Sequence, residues 1–163
     1  MSFNDLLATN EVYAESFTDG ERKGVAQAGV LILTCMDSRV DPLPMVGLKL
    51  GDAKVLRTPG GQLTEDALRG CILAVHLLNV ERIMLVAHTR CAMASGTDED
   101  LYAKFDAATG IDARGFKFGA DPDQYGRLGR DISYLTHHPL IGDRAKVGGF
   151  IYDVDTGKLK QVY

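Results

Sequence analysis

Two short segments of this chain carry side chains that bind metals. Cys35, Asp37 and Arg39 alternate along the first, and His88 and Cys91, separated by two residues, form the second. Two thiolates, an imidazole and a carboxylate make a tetrahedral zinc set, and the softness of thiolate selects zinc over magnesium or calcium. Alternation puts Cys35, Asp37 and Arg39 on one side of an extended segment. The gap between His88 and Cys91 lets both reach one ion as the backbone turns. Arg39 can also form a forked pair with Asp37. Asp37 then has two options: it ligates zinc and closes the site, or it pairs with Arg39 and leaves the fourth position to water. Zinc with two thiolates and a neutral imidazole sums to zero charge, and a carboxylate in the fourth place would quench its acidity further. With water there, the metal acts as a Lewis acid near neutral pH. The expected chemistry is attack by zinc-bound hydroxide on a small electrophile, with Asp37 orienting the hydroxide.

The elements that would position these residues are those of an α/β fold. Val30–Thr34 and Arg82–Ala87 are short apolar runs rich in branched residues, as expected of strands buried on both faces of a parallel sheet. Each runs directly into one of the two ligand segments. Ala53–Thr58 is a further strand, stopped by Pro59-Gly60-Gly61. Thr64 then caps a helix with Glu65 and Asp66 in its first turn and Leu68, Cys71, Ile72, Val75 and Leu78 at helical spacing. Strand, helix, strand implies a right-handed parallel crossover. In such a sheet ligands collect beyond the carboxyl ends of the strands, so neighbouring strands would bring Cys35, Asp37, His88 and Cys91 together.

Around this unit, Asn4–Phe17 reads as a helix capped by Asn4, with Leu6, Leu7, Val12 and Tyr13 as its apolar face. Thr97–Ala108 reads as another, with a capping box between Thr97 and Asp100. Asp121-Pro122 opens a last helix with Pro122 at its first position. Two strand-like runs, 149–154 and 158–162, flank an Asp155-Thr156-Gly157 turn and form a closing hairpin. The expected fold is a central, mostly parallel sheet flanked by helices, with an antiparallel hairpin at the end. It forms one domain over residues 1–163, with residues 1–20 as an N-terminal helical arm.

Composition narrows the function. With 18 Lys and Arg against 22 Asp and Glu, the net charge of −4 argues against nucleic acid as a partner. No apolar run approaches the length of a membrane span, and no signal peptide is visible at the start of the sequence. Three cysteines, an odd set, do not suit a secreted disulfide scaffold. A reducing cytoplasm is the expected setting.

At these residues the chain resembles the β-class carbonic anhydrases over nearly its whole length. Cys35-Met36-Asp37-Ser38-Arg39 is similar to the family's first motif and His88-Thr89-x-Cys91 to its second. Gly51-Asp52-Ala53, Gly60-Gly61 and Ala67-Leu68-Arg69 look like the segment between them. His138-Pro139-Leu140-Ile141 and the 149–159 stretch look like its C-terminal part. The resemblance implies one zinc per chain held by Cys35, His88 and Cys91, with Asp37 as a fourth ligand in a closed state. It implies Asp37 and Arg39 as the catalytic pair, and Gly60 and Gly61 as pocket backbone. It further implies reversible hydration of carbon dioxide to bicarbonate and a proton, and a homodimer or higher assembly with the cleft at the subunit interface. The length resembles the family's compact branch.

The chain departs from the family at Thr58 and Pro59, where Asn-Ala is usual, and at Arg90 and Ala92, where Asp and Gly are usual. Pro59 removes a backbone donor. Arg90 adds a positive charge that either helps hold bicarbonate or faces solvent. With no tryptophan, a second bicarbonate site of the kind some members build around that residue cannot be complete. Cys71 lies on a helix's apolar stripe and reads as core. His76, His137 and His138 read as helix-end residues, with a proton shuttle as the alternative for the last two. Two further functions stay open: hydrolysis of carbonyl sulfide or carbon disulfide on the same scaffold, and a catalytically silent zinc-binding homologue. Retention of Asp37 and Arg39 argues against the second.

Overall fold

The computed structural model describes residues 2–163. β1 (Val30–Cys35) is buried at every position. A strand with apolar side chains on both faces needs neighbours on both edges. β1 pairs in parallel with β2 (Ala53–Thr58) on one side and β3 (Arg82–His88) on the other. β4 (Lys146–Tyr152) adds in parallel to β3, and β5 (Leu159–Gln161) closes the sheet antiparallel to β4. The order is β2-β1-β3-β4-β5, the expected mostly parallel sheet with an antiparallel end.

One face of the sheet is covered by two helices. α2 (Glu65–Leu77) begins at Thr64, whose hydroxyl accepts the Ala67 N–H at 3.2 Å, with Glu65 and Asp66 at the positive end of the dipole. α4 (Gln124–Thr136) buries Leu128 and Leu135 two turns apart. With Leu31, Leu33, Ile83, Leu85 and Ile151 these helices form the main core. The fully buried stripe of α2 is Ala67, Cys71 and Ala74, while the expected Leu68, Ile72, Val75 and Leu78 pack half-buried around it. Small residues on the sheet-facing line allow the helix to sit close, as Gly70 does against Leu56. Cys71 is fully buried, and desolvation pushes its thiol up to about 12, which keeps it a neutral core residue.

The helix ends correct three expectations. The first helix, α1, spans Asn4–Glu15, two residues shorter than the sequence suggests. It is preceded by Phe3 with no side-chain cap, so Asn4 is already inside it. Pro122 stands outside α4, because the Asp123 carboxylate caps the helix through the Gly126 N–H at 2.9 Å and sets its start after Pro122. α3 (Asp98–Thr109) has the expected reciprocal capping box between Thr97 and Asp100.

The opposite face of the sheet is thinly covered. Val30, Ile32 and Val86 are buried there, and Met84, Phe150, Tyr152 and Leu159 are half-buried around them, under the turn carrying Met45, Val46 and Leu48. Neither α1 nor α3 buries a residue. Leu6, Leu7, Val12 and Tyr13 of α1 are each more than half exposed.

Between β2 and α2, Pro59–Gly61 form a tight turn, with Gly60 and Gly61 in left-handed conformations at φ of 69° and 65°. A Cβ on Gly61 would lie 3.0 Å from the Val86 carbonyl and 3.2 Å from the Cys35 nitrogen. The turn thus rests directly on the ends of β1 and β3. Gly61→Ala should combine left-handed strain with this backbone clash and cost about 2 kcal/mol or more, read as a lower urea midpoint with an unchanged m-value.

Candidate metal centre

The parallel register places Thr34 beside Val86, so β1 and β3 reach their carboxyl ends together. Cys35 is the last residue of β1 and His88 the last of β3. Beyond His88 the chain reverses. The Thr89 N–H donates to the Tyr152 carbonyl at 2.9 Å, and Arg90 adopts a left-handed φ of 54°. That reversal returns Cys91 to the strand end. The ligand atoms of Cys35, His88 and Cys91 all lie within 4.8 Å of one another, and all three residues are buried.

His88 is oriented for a metal. Its Nδ1 donates to the Thr89 carbonyl at 2.8 Å, which leaves the Nε2 lone pair facing the thiols. Among the described residues this Nε2 is the one buried side-chain nitrogen or oxygen with no hydrogen-bond partner. A buried acceptor left unpaired beside two thiols is costly in a metal-free fold and is satisfied by a soft divalent cation. The thiols themselves favour a cation. The neighbouring Cys91 thiol, then His88 and the N–H groups of Asp37 and Gly60, lower Cys35 against the opposing effect of burial. Cys91 is raised, chiefly by sharing its proton with Cys35, and a thiolate at Cys35 pushes His88 up. Two thiols and one imidazole this close together are a zinc donor set.

Asp37 stands outside the trio. Arg39 grips it in a fork, Nε to Oδ1 at 2.9 Å and Nη2 to Oδ2 at 2.7 Å, and the Arg39 N–H adds a third bond to Oδ1 at 2.9 Å. Arg39 is anchored in turn on the Arg90 carbonyl at 3.2 Å. The carboxylate still lies close: its Oδ2 is 3.9 Å from His88 Nε2. The structure thus shows the paired arrangement, with Asp37 held beside the donor set.

A cavity of about 170 Å³ opens beside the two thiols, lined by Cys35, Met36, Asp37, Pro59, Gly60, Cys91, Ala92 and Met93. Apart from Asp37 and the thiols, its walls are apolar side chains and glycine backbone. Gly60 lines it, while Gly61 is buried behind it. Larger depressions lie elsewhere, but none holds this chemistry.

Residues 30–110 match the carbonic anhydrase family model. The chain is 32% identical over 159 residues to β-carbonic anhydrase 1 of Mycobacterium tuberculosis, covering 98% of this chain and 96% of that one. The chain belongs to the β-carbonic anhydrase family. A solved carbonic anhydrase from Streptococcus mutans superposes with a TM-score of 0.91 at 31% identity, covering 100% of this chain and 99% of that one. A carbon disulfide hydrolase of Acidianus is 31% identical, covering 80% of this chain and 75% of that relative.

Several residues near the β-carbonic anhydrase motifs take structural roles. The Arg90 guanidinium turns outward and pairs with Asp155, so of its two expected roles the solvent-facing one holds. His137 is the C-cap of α4, its ring bonded to the Ser133 carbonyl at 2.8 Å. His138 packs against Tyr134 with the rings tilted by 48°. α4 points its N-terminus at the metal centre, and its 13 residues put both histidines at the far end of the helix, about 20 Å along its axis. His76 bonds the Leu140 carbonyl at 2.8 Å. Arg57 has a role that sequence reasoning missed. It donates to the carbonyls of Cys35, Asp37 and Val40 at 2.9, 2.7 and 3.0 Å and folds the segment after β1. A lone arginine near a strand end carries no signal of that.

The Arg39 guanidinium holds Asp37 well below the usual carboxylate range. A depressed folded pKa adds stability that is complete above the unfolded value of about 4 and is lost as pH falls through the folded one. On metal-free protein, wild type should exceed Asp37→Asn in unfolding free energy by a constant margin from about pH 5 to 7. The margin should shrink in the acid range; one that widens on acidification contradicts the pairing.

Proposed function

We propose that this protein is a zinc-dependent carbonic anhydrase, with Cys35, His88 and Cys91 holding the metal and Asp37 and Arg39 as the catalytic pair. The observation that carries this reading is the convergence of two thiols on the unpartnered His88 Nε2, beside a carboxylate already held by an arginine. Zinc bound there supplies a Lewis acid that makes water nucleophilic near neutral pH. The protein's own residues do the rest. Both Asp37 oxygens take hydrogen bonds from Arg39, so the carboxylate stays ionised and can only accept. A hydrogen bond accepted by Asp37 fixes the attacking oxygen, its lone pair toward the substrate. Met36, Pro59, Ala92 and Met93 present an apolar wall that suits a linear, uncharged molecule such as carbon dioxide. Arg39 meanwhile keeps Asp37 from competing for the metal.

The same apolar wall suits carbonyl sulfide and carbon disulfide, and a relative named carbon disulfide hydrolase matches at 31% identity. Stopped-flow hydration by the zinc-loaded protein, with carbonyl sulfide in parallel, separates these substrates. Carbon dioxide is expected to be turned over at the higher kcat/KM. Arg39→Ala should keep its zinc and its fold while hydration falls roughly a hundredfold. A stable, zinc-replete Arg39→Ala protein with the wild-type rate would refute the pair's catalytic role.

The working unit is a cytoplasmic homo-oligomer, at least a dimer, built from single-domain chains whose residues 1–20 reach onto a partner. Support comes from the exposed apolar side chains of α1 and the thinly covered sheet face around Met84 and Phe150, apolar surface of the kind a partner covers. No helix among the described residues is long and apolar enough to cross a membrane. Sedimentation at micromolar concentration should give at least twice the 17.7 kDa of one chain, and removal of residues 1–17 should weaken the assembly.

A further inference from the structure

Two backbone carbonyls at the metal centre are held from a single helix face. The Gln124 amide donates to the His88 carbonyl at 3.2 Å. One turn along α4, Arg127 Nη2 donates to the Gly60 carbonyl at 2.8 Å, and its Nη1 to Asp131 Oδ2 at 3.0 Å. The same Asp131 oxygen accepts the Leu63 N–H at 3.2 Å. Positions 124, 127 and 131 are three and four apart, so they form one stripe on the helix. The ion pair within it is largely buried, with side-chain exposures of 12% for Arg127 and 18% for Asp131. A buried pair gains little stability over apolar residues of equal size. Here each partner also bonds the Pro59–Leu63 segment, Arg127 at the Gly60 carbonyl and Asp131 at the Leu63 N–H.

That segment needs an external restraint. Gly60 and Gly61 are consecutive left-handed glycines, the most permissive backbone a chain can have. Yet Gly60 sits against Met93, and Gly61 against the backbone of Cys35 and Val86, so a small shift there moves the wall of the cavity and the shell around the Cys35 sulfur. We infer that Gln124, Arg127 and Asp131 are positioning residues: α4 clamps the His88 strand end and the Gly60 turn together, and so fixes the geometry of the three metal donors. The inference rests on the zinc reading proposed above, and concerns residues that touch neither metal nor substrate.

Cobalt(II) substitution tests it without relying on activity, because thiolate-to-cobalt charge-transfer and ligand-field bands report donor geometry. Arg127→Met keeps the bulk and removes the donors. It should shift or broaden the cobalt bands and weaken zinc binding about tenfold in chelator competition, the scale of losing a partner of a metal ligand. Arg127→Lys, which keeps a cationic donor, should restore part of both. Arg144→Met, at an exposed arginine bonded only to the Pro139 carbonyl, should change neither. Gln124→Ala removes one bond to His88 and should move the bands in the same direction by a smaller amount, so the test stands even if Arg127→Met fails to fold. Folded Arg127→Met or Gln124→Ala protein with wild-type cobalt bands and zinc affinity, altered only in melting temperature, overturns the clamp. Wild-type protein that takes up neither metal overturns the zinc reading and the clamp with it, a distinguishable result.

Discussion

The parallel pairing of β1 with β3 is the constraint from which the rest follows. Parallel neighbours cannot be joined by a tight turn, so the chain must leave β1, form β2, cross over through α2 and return. That route brings two carboxyl ends side by side, and the register, with Thr34 beside Val86, leaves His88 one residue beyond the level of Cys35. Shifting one strand by a single residue would turn its side chains to the other face and dissolve the donor set. The burial of β1 on both faces makes such a slip expensive, since Leu31 and Leu33 belong to the helix-covered core and Val30 and Ile32 to the opposite one.

Electrostatics then decide how the donors are used. A site with two thiols and an imidazole within 4.8 Å attracts a dication strongly, and any free carboxylate nearby would join it. Arg39 opposes this by pairing with both Asp37 oxygens and is itself fixed by the Arg90 carbonyl. The left-handed Arg90 therefore does two things: it bends the chain so that Cys91 returns to the centre, and it presents the carbonyl that steadies Arg39. Its side chain is free to leave for Asp155.

Backbone anchoring from outside the motifs is the second layer. Arg57 gathers three carbonyls after β1, and α4 reaches the His88 and Gly60 carbonyls from below. These bonds run to main chain, which is how a fold holds a flexible turn without placing more charge in the cavity. The walls stay apolar as a result, and the one carboxylate that faces the cavity keeps its arginine.

Much of this was legible in the residues. The buried strands, the crossover helix with its Thr64 cap, the Thr97 capping box and the closing hairpin all follow from local periodicity and cap chemistry, which act over a few positions. Cys35, Asp37, Arg39, His88 and Cys91 stood out because metal-binding side chains followed directly on buried strands. Other features depend on contacts distant in sequence. Asp123 rather than Pro122 sets the start of α4, and Arg90 turns away because Asp155, far along the chain, lies within reach. His137 and His138 lie at the far end of α4 from the centre because of the direction in which α4 packs. Arg57, Gln124 and Arg127 act through main-chain carbonyls, and every residue type supplies the same carbonyl, so no residue identity at the receiving end marks the bond. Side-chain chemistry and short-range spacing are written into the residues themselves; which backbone group each side chain meets is settled only when the sheet and helices pack.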